Sequence, residues 1–174
     1  MPQKQPARRP DFDEVTIIVP GLIQPWKRVR QNRKTGTWYT DPKVETYQSS
    51  VRHEAMLVMA GDPPIPREFA LELSFLAVWP IPTGWSKKLQ AECRQRGGSL
   101  KRTAPDSDNT VKGIMDALQH IVYVNDSQIA VQGRCAKIYG DRPRLEIRFT
   151  ILDEDTVPLS LPKEAVYQGR LPLF

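Results

Sequence analysis

Residues 104–129 read APDSDNTVKGIMDALQHIVYVNDSQI, and this one stretch holds both a helix and the route out of it. Val111, Ile114, Met115, Leu118 and Ile121 recur at the period of a helix that buries one side. The spacing predicts a helix from about Asn109 to His120, a short strand near Val122, a turn at Asn125 and Asp126, and a strand over Ile129 to Ile138. Asn109, Lys112 and Asp116 share the opposite side of that helix. A core face and a polar face are thus separated.

Outward from this stretch, prolines divide the chain. Pro2, Pro6 and Pro10 stand with Arg8 and Arg9 in a leader with little to bury, expected to be disordered to about Glu14. Val15 to Val19 reads as a strand, and residues 20–42 as a basic loop or hairpin punctuated by Gly21, Pro25 and Gly36. Asp41 before Pro42 is a helix start, because the carboxylate can cap free amides and proline suits the first helical position. Val44, Tyr47, Val51, Ala55 and Val58 form its apolar face to about Ala60, with His53 on the solvated side. Phe69 to Trp79 alternates as a strand, and Ser86 to Arg96 reads as a second helix stopped by Gly97 and Gly98. Arg144 to Leu152 is a last strand, expected to pair with its predecessor through the turn at Gly140 to Pro143. The fold class is α/β of the mixed α+β kind: a leader at 1–14, one small domain at 15–152 with a mixed sheet flanked by helices, and a tail at 153–174.

The composition excludes several classes. With 174 residues, 40% apolar and 26% charged, the chain suits one soluble domain. No apolar run approaches the ~20 residues of a membrane-spanning helix, and residues 1–10 lack the apolar segment of a secretory signal. Cys93 and Cys135 are too few for a disulfide framework, so a reducing cytoplasm is expected. The net charge of +5 makes an anionic partner plausible, and its placement says more. Residues 1–40 hold eight basic and three acidic side chains, and residues 86–102 hold six and one.

Chemistry concentrates at Asp106, Asp108 and Asp126. The first two stand at the mouth of the helix, and a helix–turn–strand path can return Asp126 beside Asp108. Three carboxylates at one place repel one another unless a divalent cation neutralises them, and all-oxygen ligands point to magnesium or manganese over zinc. Lys112, one turn into the helix, can add fixed positive charge for a phosphate. The plainer alternatives are that Asp106 and Asp108 are a cap and a turn residue, that Asn125-Asp126 is a hairpin turn, and that Lys112 with Asp116 is a surface pair.

Pro105-Asp106-x-Asp108-Asn109-x-x-Lys112-x-x-x-Asp116-x-Leu118, then a short apolar run and Asp126, resembles the RusA family of Holliday-junction resolvases of bacteria and their prophages. Pro25, Lys27, Arg28, Arg30, Gly36 and Tyr39 look like that family's basic amino-terminal segment, and the likeness runs from about Thr16 to Leu152. Paired aspartates are common in that family where this chain has Asn125-Asp126. The resemblance implies a homodimeric, magnesium-dependent endonuclease that nicks paired strands of a four-way DNA junction in recombination and repair. By position, Asp106, Asp108 and Asp126 would hold the metal, Mg2+ or alternatively Mn2+, and Lys112 would assist at the phosphate.

Lys27, Arg28, Arg30, Arg33 and Lys34, interleaved with Trp26, Trp38 and Tyr39, suit phosphate contact and base stacking; the alternative is a solvated hairpin with core aromatics. At the carboxyl end, Leu171, Leu173 and Phe174 resemble a sliding-clamp-binding peptide, with Arg170 where glutamine is expected. Docking of this tail on its own domain or on a dimer mate is the competing reading. Two other functions compete with the nuclease: a DNA-binding protein of the same fold that does not cleave, and an adaptor recruited through its tail.

Overall fold

The computed structural model describes residues 8–27, 30–31 and 33–153. In chain order the elements are β1 (Glu14–Pro20), β2 (Arg30–Gln31), β3 (Trp38–Tyr39), α1 (Pro42–Met59), β4 (Ala70–Pro80), α2 (Lys87–Gln95), β5 (Ser99–Leu100), α3 (Ser107–Leu118), a 3₁₀ turn (Asp126–Gln128), β6 (Ile129–Gly140) and β7 (Arg144–Leu152). Alternation along the strands sets the layers. Val15, Ile17 and Val19 of β1 and Leu145, Ile147, Phe149 and Ile151 of β7 are buried, while the residues between them are more exposed. Each of these strands therefore turns one side to the core. That side meets Val51, Ala55 and Met59 of α1 and Val111, Ile114 and Leu118 of α3 in one apolar cluster.

Five strands form a mixed sheet in the order β1-β7-β4-β6-β5, and β2 and β3 form a separate small hairpin. β7 runs antiparallel to β1 and β4, β4 and β6 run parallel, and β5 is antiparallel to β6. The hairpin expected between the last two strands is therefore not formed: β4 lies between β6 and β7. Its Leu71, Leu73, Phe75 and Ala77 are among the most deeply buried residues, which places β4 at the centre of the sheet with a strand on each side. The turn after β6 passes across the end of β4 at Pro80, which has no N–H to pair. Gly140 permits that approach, since a Cβ there would come 2.9 Å from Val78 Cγ1.

The helix signals act as expected. Asp41 Oδ1 accepts from the Lys43 amide at 3.0 Å, and Ser86 Oγ accepts from the Leu89 amide at 3.3 Å. At the end of α1 the buried stripe advances by four, so Met59 enters the core and Val58 is exposed. α3 ends two residues earlier than expected, with His120 at φ 67°. The strand expected near Val122 is replaced by isolated bridges from Tyr123 to Ile65 and Gln119, because the segment must turn again at Asn125. Before β1, Phe12 packs against the core and the Asp13 carbonyl accepts from the Ile151 amide at 2.9 Å, within the stretch expected to be disordered. Among the described residues no helix is long and apolar enough to cross a membrane.

Candidate active site

Asp106 is the N-cap of α3; its backbone is extended and its side chain makes no capping hydrogen bond. The carboxylate is thus not used as a helix cap. Asp108, Lys112 and Asp116 follow at four-residue steps along the polar side of the helix. Lys112 Nζ lies 3.5 Å from Asp116 Oδ1 and 5.0 Å from the centroid of the Trp26 ring. An exposed ion pair alone contributes ~0.3–0.5 kcal/mol, so the main consequence of these two contacts is that the ammonium is held at one place on the rim.

The turn after α3 separates its two polar residues by role. Asn125 Oδ1 accepts from the Ser127 amide at 2.9 Å, so Asn125 caps the 3₁₀ turn and Asp126 does not. Gln128 braces the same turn, accepting from the amides of Val124 and Asn125 at 2.9 Å each. Tyr123 is fully buried, and its hydroxyl stands 3.0 Å from Asp126 Oδ1 and 2.9 Å from the Met115 carbonyl. Burial first, then the charges of Asp126 and Asp116, push the Tyr123 phenol well above its usual pKa. It therefore remains a neutral donor that orients Asp126. Tyr123→Phe should fold with a loss of about 1 kcal/mol, because the Asp126 carboxylate and the Met115 carbonyl lose a buried donor; unchanged stability in chemical denaturation would refute that role.

Asp108, Lys112, Asp116 and Asp126 line one open cleft of about 270 Å3. From β6, Gln132 and Cys135 line it too, although they are three residues apart on a strand. A register irregularity explains this: Gln132 pairs with Leu73 and Cys135 with Phe75, so one extra residue of β6 bulges out and both side chains face α3. Burial raises the Cys135 thiol pKa, which keeps the free thiol protonated at neutral pH.

Asp106 is not among the residues that line the cleft. Among the described residues no three His, Cys, Asp or Glu side chains stand close enough together to hold a metal ion. The donor chemistry nonetheless fits a hard divalent cation. Asp108, Asp116 and Asp126 offer only oxygen to the cleft, and Asp106 and Asp108 are exposed side chains at its end of the helix. Asp116, which the sequence places on the polar side of the helix with Asn109 and Lys112, lines the cleft as well as pairing with Lys112. Tyr123 and Gln128 carry no such signal, since one sits in an apolar run and the other in a turn.

The start of the basic segment packs against α3 through Trp26. The Trp26 amide donates to the Asn109 carbonyl at 3.3 Å, and a Cβ added at Gly113 would meet Trp26 Cβ at 3.5 Å, so residues 21–27 lie across the start of α3. Lys27 Nζ pairs with Asp41 Oδ2 at 2.8 Å, which ties the segment to α1. Arg33 and Lys34 are exposed near the hairpin tip, and Arg30 pairs with Tyr39 through the backbone. Trp38 and Tyr39 are 65% and 46% exposed, which removes the alternative that they are core aromatics. Arg28, Leu171, Leu173 and Phe174 lie outside the described residues.

A family model described as Endodeoxyribonuclease RusA matches residues 20–150. The chain belongs to the RusA family. The match takes in the hairpin, α3, the 3₁₀ turn and β6, so every element of the cleft lies within the RusA region. A relative, "Uncharacterized protein YqaN" of Bacillus subtilis (strain 168), is 41% identical over 69 residues, covering 39% of this chain and 48% of that protein. The match thus spans about half the length of that RusA-like chain's relative.

Proposed function

We propose that this RusA-family chain is a structure-selective endodeoxyribonuclease that resolves four-way DNA junctions by paired nicking. The observation that carries the reading is the joining, in one cleft, of carboxylates from α3 and from the turn after it, in a chain that also carries an exposed basic and aromatic hairpin. Asp108 and Asp126, with Asp116 in the same cleft, would hold a divalent cation, and Asp106 would join them from the N-cap of α3. When bound, Mg2+ or Mn2+ supplies Lewis acidity at the phosphate and a water acidic enough to attack it. Lys112 faces the same cleft and offers fixed positive charge to the phosphoryl group, while Tyr123 keeps Asp126 oriented. The acidic cleft repels DNA, so the hairpin must supply the attraction, through Arg33 and Lys34 to phosphates and through Trp38 and Tyr39 by stacking.

A homodimer would place two such clefts symmetrically, as symmetric nicking requires. The expected setting is the cytoplasm of a bacterium, with a bacterial or prophage gene, and the tail with Leu171, Leu173 and Phe174 would reach a sliding clamp or a dimer mate. The deciding experiment incubates the protein with a labelled four-way junction and a matched duplex, with and without Mg2+. Cleavage of the junction alone, dependent on the cation, supports the nuclease. Binding without cleavage in Mg2+ and Mn2+ supports the non-cleaving DNA-binding protein, and loss of salt-sensitive DNA affinity supports the adaptor.

Salt dependence measures the hairpin's part. With about five phosphates neutralised, raising salt roughly fourfold should weaken junction binding by on the order of 10²-fold or more. Arg33→Ala with Lys34→Ala should make that dependence shallower by about two contacts, whereas Trp38→Ala should weaken binding and leave the slope unchanged. A slope unaffected by the double substitution would remove the hairpin from the interface.

A further inference from the structure

Two lysines near the start of α3 are turned away from the cleft and onto the backbone that leads into it. Lys137 of β6 places Nζ 2.5 Å from the Pro105 carbonyl and 3.3 Å from the Thr103 carbonyl. Lys101, just after β5, places Nζ 2.5 Å from the Ala104 carbonyl and 2.6 Å from Thr103 Oγ1. Tyr139 supports the second lysine: its hydroxyl is 3.0 Å from Thr103 Oγ1, and the Lys101 ammonium lies 5.1 Å from the Tyr139 ring and 5.5 Å from the Trp79 ring. Three consecutive residues are thus gripped by two ammonium groups carried on the sheet. The next residue is Asp106, which has no capping bond of its own to fix the start of α3.

We propose that Lys101 and Lys137 are positioning residues that clamp Thr103–Pro105 to the edge of the sheet and so set where Asp106 and Asp108 point at the mouth of the cleft. The inference rests on the metal-dependent reading under Proposed function. Charge-assisted hydrogen bonds to carbonyls are strong and directional, which suits a clamp. Supporting groups of this kind change metal affinity by about 10–100-fold when removed. The clamp also makes a prediction opposite in sign to simple electrostatics. Deleting a positive charge near an acidic cleft should tighten the binding of a divalent cation, whereas loosening the clamp should weaken it.

The test measures Mn2+ affinity of the full chain by electron paramagnetic resonance, without DNA, for wild type, Lys137→Met, Lys101→Met and Lys137→Arg. Methionine keeps the apolar stem and removes the charge; arginine keeps the charge and a donor. The clamp predicts about tenfold weaker Mn2+ binding in Lys137→Met, a smaller loss in Lys101→Met, and partial recovery in Lys137→Arg. Should Lys137→Met fail to fold, Lys101→Met carries the test, since it leaves the Pro105 contact in place. Equal or tighter Mn2+ binding in the folded methionine variants overturns the inference while the metal reading stands. Weaker junction binding with unchanged Mn2+ affinity also overturns it, by making the lysines DNA contacts. A wild-type chain that binds no Mn2+ overturns the metal reading and the clamp together.

Discussion

Asp126→Asn should reduce junction cleavage by on the order of 10³-fold while junction binding in the absence of metal is retained or slightly strengthened. The substitution is nearly isosteric, and the Asn side-chain oxygen can still accept from the Tyr123 hydroxyl that now meets Asp126 at 3.0 Å. The 3₁₀ turn is capped by Asn125 and braced by Gln128, not by Asp126, so the backbone has no reason to move. What is lost is one anionic oxygen donor in the cleft. Asp108→Asn should behave alike, because Asp108 is exposed in the first turn of α3. Removing negative charge beside a polyanion also relieves repulsion, which is why binding should hold. Gel-shift and cleavage assays on the same preparations separate the effects. Cleavage near the wild-type rate in both variants would take Asp108 and Asp126 out of the reaction.

Gln128→Leu should destabilise the fold by about 3 kcal/mol or more. Gln128 is buried and acts as a two-ended clasp. Its amide nitrogen is within 2.9–3.3 Å of the carbonyls of Ile65, Pro66 and Phe69, and its oxygen accepts from the amides of Val124 and Asn125. Leucine has similar bulk and would leave these backbone groups without their partner in a buried place, at ~1–3 kcal/mol for each unsatisfied group. Gln128→Glu separates the two ends, since it keeps the acceptor for the amides and loses the donor to the carbonyls. It should be destabilised as well, while chemical denaturation of an exposed-site control such as Lys88→Gln should show no change. A Gln128→Leu variant as stable as wild type would mean that the clasp contributes nothing. Because Asp126 lies two residues before Gln128, loss of the clasp should also misplace the carboxylate in whatever fraction stays folded.

The candidate site was legible to the degree that its chemistry follows local spacing. Asp108 in the first turn of a helix, Lys112 one turn on and Asp126 after a short return share one cleft as local spacing suggests, because a helix fixes which residues share a side, whereas Asp106 does not line it. Asp116 belongs to that set by the same spacing. It pairs with Lys112 and lines the cleft at the same time. Tyr123 and Gln128 were not legible, since their roles depend on Met115, Ile65, Pro66 and Phe69 arriving from elsewhere in the chain. Gln132 and Cys135 were hidden by the bulge in β6, which changes the side of the sheet that a strand residue faces without altering its composition.

By itself the sequence determined the helices, most of the strands, the separation of α3 into a core side and a polar side, and the family to which the chain belongs. These follow from periodicity, caps and proline positions, which act over a few residues. Tertiary structure alone decided that β4 stands between β6 and β7, that Trp38 and Tyr39 are exposed, and that the Thr103–Pro105 backbone meets Lys101 and Lys137. The reason is physical: strand order and buried hydrogen bonds join residues tens of positions apart, and which partners meet is set by how the whole apolar surface is covered, not by any one stretch of the chain.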